Sequence, residues 1–141
     1  MGETQSAEVR QVVERLARAL DADDLATARA FLADDCVYET GNETRRGPDE
    51  ILASYAAASA WAHRVFDEVR YESTVGPVAG ATATVTYTDY LFKAGGRWHR
   101  HRCRQELTVG GGGRIARIVQ HEMPGEREAL EAYLAECGIE R

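Results

Sequence analysis

Two alternating runs constrain this chain most: "ATATVTYTDYLF" at 81–92 and "WHRHRCRQELTV" at 98–109, joined by "KAGGR". Both alternate residue by residue, which is the period of a strand with two faces. In the first run Ala83, Val85, Tyr87, Asp89 and Leu91 share a face, with threonines on the other. In the second, His99, His101, Cys103, Gln105, Leu107 and Val109 share a face. The opposite face carries Trp98, Arg100, Arg102, Arg104, Glu106 and Thr108. A two-residue turn at Gly95–Gly96 would set the apolar face of one strand against the threonine face of the other. A three-residue turn, Ala94–Gly96, pairs Leu91 with His99, Asp89 with His101, Tyr87 with Cys103, Val85 with Gln105 and Ala83 with Leu107. A one-residue slip turns a whole strand over, so the second register is expected, with glycine at the left-handed turn position. The face ending in Leu107 and Val109 looks inward and reads as the floor of a pocket.

The rest of the chain supplies a cover for that face. Val9, Val12, Val13, Leu16 and Leu20 recur at helical spacing and predict an amphipathic helix over about 6–21. Asp23 or Asp24 caps a second helix with Leu25, Ala28, Phe31 and Leu32 as its stripe. "DDCVYET" reads as a short strand and "GNETRRG" as a loop. "GPDEILASYAAASAWAH" starts a third helix, with Pro48 and acids in its first turn. "VFDEVRYESTV" is a strand, "GPVAG" a turn, "GGGG" a second hairpin turn and "RIARIVQHEM" the last strand. A closing helix is expected within 124–138, stopped by Gly138. The 141 residues suit one domain, 1–141, with that helix appended to the core.

Three N-terminal helices followed by a meander of strands is an α+β plan. It resembles the nuclear transport factor 2-like superfamily, in its SnoaL-like and ketosteroid-isomerase-like branch. The resemblance is carried by "ALDADDLATARAFLADDCVYE", "RRGPDEILASY" and "GGRIARIVQHE". It implies a cone-shaped, curved antiparallel sheet covered on its concave face by the three helices, with the C-terminal helix added. It also implies a deep pocket and a homodimer through the sheet. In ketosteroid isomerase-like proteins the general base is an Asp at the end of the first strand; Thr40 stands at that place here, so that base is missing. SnoaL-like cyclases use an acid on the final strand, where Glu122 or His121 lies.

Within such a pocket the catalytic candidates are His101 as base, Asp89 as its orienter and Tyr87 as oxygen stabiliser, with Tyr38 as a second stabiliser. Tyr38, Tyr55, Trp61, His63, His99, Cys103, Gln105 and Glu122 are the expected lining. His99, His101 and Cys103 at alternate positions have the chemistry of a zinc set, but no H-E-x-x-H or C-x-x-C supports it, and no metal or cofactor is expected. The net charge of −6 argues against nucleic acid as a partner, although Arg100, Arg102 and Arg104 form a basic stripe. That stripe, with Trp98, is the expected homodimer face. Three widely spaced cysteines, no membrane-length apolar run and a start that goes straight into a charged helix lead to the expectation of a cytoplasmic protein. The function expected is that of a small-molecule pocket protein acting as a cofactor-free isomerase, dehydratase or cyclase on a mainly apolar carbonyl or hydroxyl compound. The alternative is a non-catalytic ligand-binding or dimeric interaction module.

Overall fold

The alternating runs form β4 (Thr82–Phe92) and β5 (Trp98–Val109). The computed structural model describes the backbone of residues 2–140 and the side chains of residues 5–140. The β4–β5 register is the one expected: Leu91 faces His99, Asp89 faces His101, Tyr87 faces Cys103 and Val85 faces Gln105. Gly95 supplies the turn at φ +87°, a conformation that a side chain would strain.

Around this hairpin the chain order is α1 (Gly2–Asp21), α2 (Leu25–Arg29), β1 (Leu32–Glu39), β2 (Thr44–Arg46), α3 (Gly47–Val65), β3 (Glu68–Ala79), then β4, β5, β6 (Ile115–Glu122) and α4 (Glu126–Glu136). The strands form one curved, unclosed sheet in the order β2-β1-β6-β5-β4-β3. The pairing of β1 with β6 is parallel, and the other pairings are antiparallel. The fold is therefore the α+β plan expected, with one parallel step.

Val9, Val13, Leu16 and Ala17 form the buried stripe of α1 and pack with Ile51 and Leu52 of α3 on Cys36, Ala83, Val85, Leu107, Ile115 and Ile118 of the sheet. Burying this face is the main favourable term in the fold. Asp24 caps α2, its Oδ1 accepting from the Thr27 amide at 3.2 Å. A second, smaller core lies at the other end of α3. Leu130, Tyr133 and Leu134 of α4 meet Ala62, Phe66 and Leu91 there.

Three local expectations need correction. The second helix ends at Arg29, so Phe31 lies in the turn that follows and Leu32 opens β1 rather than closing the helical stripe. "GNETRRG" is not all loop: Thr44–Arg46 pairs with Val37–Glu39 as β2, after a turn in which Thr40 Oγ1 accepts the Glu43 amide at 3.1 Å. "GPVAG" is not a turn: β3 runs through it to Ala79, with a register shift between Val75 and Val78. Pro77 is tolerated because β3 is an edge strand and the shift absorbs the missing amide. Arg10 of α1 reaches this irregularity and donates to the Gly76 carbonyl at 2.9 Å.

Candidate functional site

Between the helices and the sheet lies a cavity of about 570 Å³. The inward-facing residues of the central strands form its floor: Tyr87, Asp89 and Leu91 from β4, His101, Cys103 and Gln105 from β5, and Gln120 from β6. Tyr38, Tyr55, Trp61 and Leu130 contribute walls. Every catalytic candidate of the sequence reading, His101, Asp89 and Tyr87, therefore lies on this one cavity. So do Tyr38, Tyr55, Trp61, Cys103 and Gln105.

Three expected lining residues lie elsewhere. His99 is 7% exposed and stacks on Tyr133 at 4.8 Å between ring centres, in the smaller core. It shares a face with His101, but α4 covers its end of the strand. Burial lowers its pKa, and among the described residues it joins no group of three His, Cys, Asp or Glu that could hold a metal ion. His63 lies at the end of α3 with its side chain 53% exposed, and its Nε2 stands 3.6 Å from Asp23. It lines an outer groove with Asp23 and Tyr71. Glu122 pairs with Arg127 and lines a groove beneath α4. The β6 register also resolves the inward set of that strand. Ile118 faces Leu107 and Gln120 faces Gln105, whereas His121 pairs with Glu106 on the outer face at 3.1 Å.

One side of the cavity is a hydrogen-bonded polar cluster. Gln105 is 1% exposed, so its amide must be satisfied internally. Its Nε2 donates to the Tyr55 hydroxyl at 3.2 Å and to Gln120 Oε1 at 3.0 Å. The Tyr38 hydroxyl also donates to Gln120 Oε1. The proton of Tyr38 is thereby committed. Tyr55 donates to Gln105 Oε1 only across 3.5 Å, a contact long enough for its proton to turn to a better acceptor. Burial pushes Tyr38 up to about 12 and holds Tyr55 well above its ordinary value, so both are neutral donors at physiological pH.

The other side is acidic. Asp89 is pushed up to about 6, first by burial and then by the charge of Asp21. Asp21, the last residue of α1, is itself raised, mainly by burial, against a hydrogen bond donated by Ser73 at 2.5 Å. The Tyr87 hydroxyl is buried without a hydrogen-bond partner among the described residues, and burial followed by the charge of Asp21 raises its pKa. Asp23 accepts from Ser59 at 2.7 Å, and Ser59 contacts the Tyr71 hydroxyl at 3.0 Å. Burial pushes the Cys103 thiol up to about 12, which makes it a poor nucleophile.

Sequence reasoning missed Asp21, Ser59, Tyr71 and Gln120 as lining residues. Asp21 left one signal: an acid in the last turn of a helix opposes the helix dipole, which is a reason to look for another role. Thr40 lies at the cavity mouth but serves the β1–β2 turn through its hydroxyl. Among the described residues no three His, Cys, Asp or Glu side chains are grouped to hold a metal ion. No helix among them is long and apolar enough to cross a membrane.

No curated protein matches the chain by sequence. Solved structures match over most of its length. An LEH-like epoxide hydrolase of M. tuberculosis is 24% identical with a TM-score of 0.65, covering 92% of this chain and 94% of that one. A putative polyketide cyclase of Sinorhizobium meliloti is 22% identical with a TM-score of 0.63, covering 79% and 94%. TerC, crystallised with polyporic acid, is 11% identical with a TM-score of 0.67, covering 91% and 98%. At these identities the likeness establishes the fold and leaves the chemistry to the site. The family model of the SnoaL-like domain matches residues 13–118, and the chain belongs to that family.

Proposed function

We propose that the protein is a cofactor-free acid–base enzyme acting on a mainly apolar carbonyl or hydroxyl compound held in the central cavity. The observation that carries this reading is Asp89: a carboxyl partly buried on the cavity floor and raised to about 6. A group poised near the working pH is suited to take and return a proton. Asp89 takes the proton from carbon next to a carbonyl. The resulting enolate oxygen lies against the Tyr55 hydroxyl and the side-chain amide of Gln120, neutral donors set in a largely dry wall. Where the enolate is conjugated to a double bond, return of the proton to the far carbon gives isomerisation; where the neighbouring carbon carries a hydroxyl, the proton passes to that oxygen, the C–O bond breaks and water leaves, giving dehydration. His101, opposite Asp89 in the register, stands on the same floor to relay the proton. This assigns the base to Asp89 rather than to His101. Its support is that Asp89 is perturbed by burial and Asp21. An LEH-like epoxide hydrolase and a putative polyketide cyclase share the fold, which is consistent with a catalytic role for the cavity. The outer face, where Trp98 is 41% exposed under Arg70, is the proposed homodimer contact.

The test is proton exchange. A bicyclic ketone such as 2-tetralone is incubated in D2O with the protein, and loss of the α-proton signal is followed by NMR. Wild type accelerates exchange, with a rate rising through about pH 6 as Asp89 ionises. Asp89→Asn abolishes the acceleration. No acceleration, or acceleration retained in Asp89→Asn, contradicts the proposal.

A further inference from the structure

We infer that the Asp21 end of the cavity binds a protonated amine, so that the natural ligand carries a cationic nitrogen in addition to its carbonyl or hydroxyl group. This rests on the cavity being the ligand site, but not on its being catalytic. Three observations meet there. First, the acids lining the cavity outnumber its bases. Asp21, Asp23, Asp89 and Glu43 face Arg45 and His101. Glu43 is already paired with Arg45 at 2.5 Å, and Asp23 stands 3.6 Å from His63. His101 is the register partner of Asp89, and one imidazole serves at most one of the two remaining carboxyls. Asp21 accepts a neutral hydrogen bond from Ser73 and is left with charge to spare. Arg18, one turn earlier on α1, lowers its pKa through space, yet burial outweighs that effect.

Second, the Tyr87 hydroxyl is buried on the cavity and has no hydrogen-bond partner among the described residues. A buried hydroxyl without a partner costs free energy, which a bound group would recover. Its oxygen can accept from an ammonium whose other N–H groups go to Asp21. Third, two aromatic side chains stand at this end: Tyr71, which lines a groove together with Asp21, and Tyr87, which feels its charge. Ring faces favour a cation electrostatically where water is thin. Carboxylate, unpartnered acceptor and aromatic wall together suit an ammonium better than a neutral alcohol. Seating that charge beside Asp21 also offsets the repulsion Asp21 exerts on Asp89, leaving Asp89 ionised for the chemistry.

The probes are 2-naphthylmethylamine, cationic at neutral pH, and 2-naphthylmethanol, its neutral counterpart of nearly equal size. Dissociation constants are measured by NMR titration with wild type, Asp21→Asn and Tyr87→Phe. Both variants keep the shape of the parent residue, and the side-chain carbonyl introduced by Asp21→Asn would still accept from Ser73. The expected result is that wild type binds the amine about tenfold or more tighter than the alcohol, the range of a charge-assisted hydrogen bond. Asp21→Asn should erase the preference while leaving alcohol binding unchanged, and Tyr87→Phe should reduce it. Equal or tighter binding of the alcohol to wild type overturns the inference and leaves the cavity as ligand site. A preference kept in both variants also overturns it. Binding of neither probe overturns the inference and the proposed ligand cavity together.

Discussion

Replacing Asp89 by asparagine is expected to stabilise the fold at neutral pH. The native carboxyl is raised from the ordinary 3.8 to about 6. The folded protein therefore holds a proton that the unfolded chain releases between those values. Stability must fall as pH rises through that window, because the folded state binds more protons there. Only below about pH 3 are both states protonated, so that Asp89 costs nothing. Above about pH 6 the whole cost is present, about 3 kcal/mol at about 1.4 kcal/mol per pKa unit. Asparagine has nearly the same shape and no charge, so it removes up to that amount. Its amide must still find partners in the cavity, which makes about 3 kcal/mol an upper bound. The assay is urea unfolding of wild type and Asp89→Asn from pH 4 to pH 8. The variant's advantage should be smallest at pH 4, about 0.5 kcal/mol or less, and grow to about 1–3 kcal/mol by pH 8. Asp21→Asn in the wild-type background should shrink the wild-type pH slope, since Asp21 is the second cause of the shift. A difference that stays constant with pH, or a variant that loses ground as pH rises, would show a carboxylate stabilised in the native state and refute the reasoning.

Two further outcomes test how the cavity's far end is held. Tyr133 of α4 donates to the Arg97 carbonyl at 2.6 Å and accepts the Lys93 amide at 3.2 Å, tying the β4–β5 turn to the helix. Tyr133→Phe should cost about 1 kcal/mol and speed hydrogen exchange at the Lys93 amide, while exchange in β1 stays unchanged. Glu126, just after Gly125 at φ +80°, accepts the Arg102 amide at 2.6 Å where β6 has ended. Glu126→Ala should cost about 2 kcal/mol and expose that amide to exchange; protection equal to wild type would show another group satisfying it.

The strand alternation made much of the site legible. It fixed which residues of β4 and β5 share a face, and register arithmetic then placed Asp89 opposite His101. It could not say how far along the strand the cavity extends. His99 shares the face of His101 yet lies under α4, because the covering helix, not the alternation, decides what is pocket and what is core. Gln120 was missed for a different reason. The final strand lacks the clean alternation of β4 and β5, and only the β5–β6 pairing sets Gln120 opposite Gln105. Asp21 was hidden by its context in "DADD", which reads as a linker and cap. Its burial arises only when α1 ends over β3 and β4. The strand through Gly76 and Pro77 misled because both residues signal turns, whereas an edge strand can carry them at a bulge.

The most direct test of the central claim is to locate where a small apolar carbonyl compound binds. Titration of labelled protein with 2-acetylnaphthalene, read by side-chain amide and aromatic NMR signals, does this. The expected result is shifts at the Gln105 and Gln120 amides and the Tyr38, Tyr55 and Tyr87 rings, with the Trp98 indole unmoved. Shifts confined to Trp98 and the outer arginines, or none at saturating probe, would contradict it.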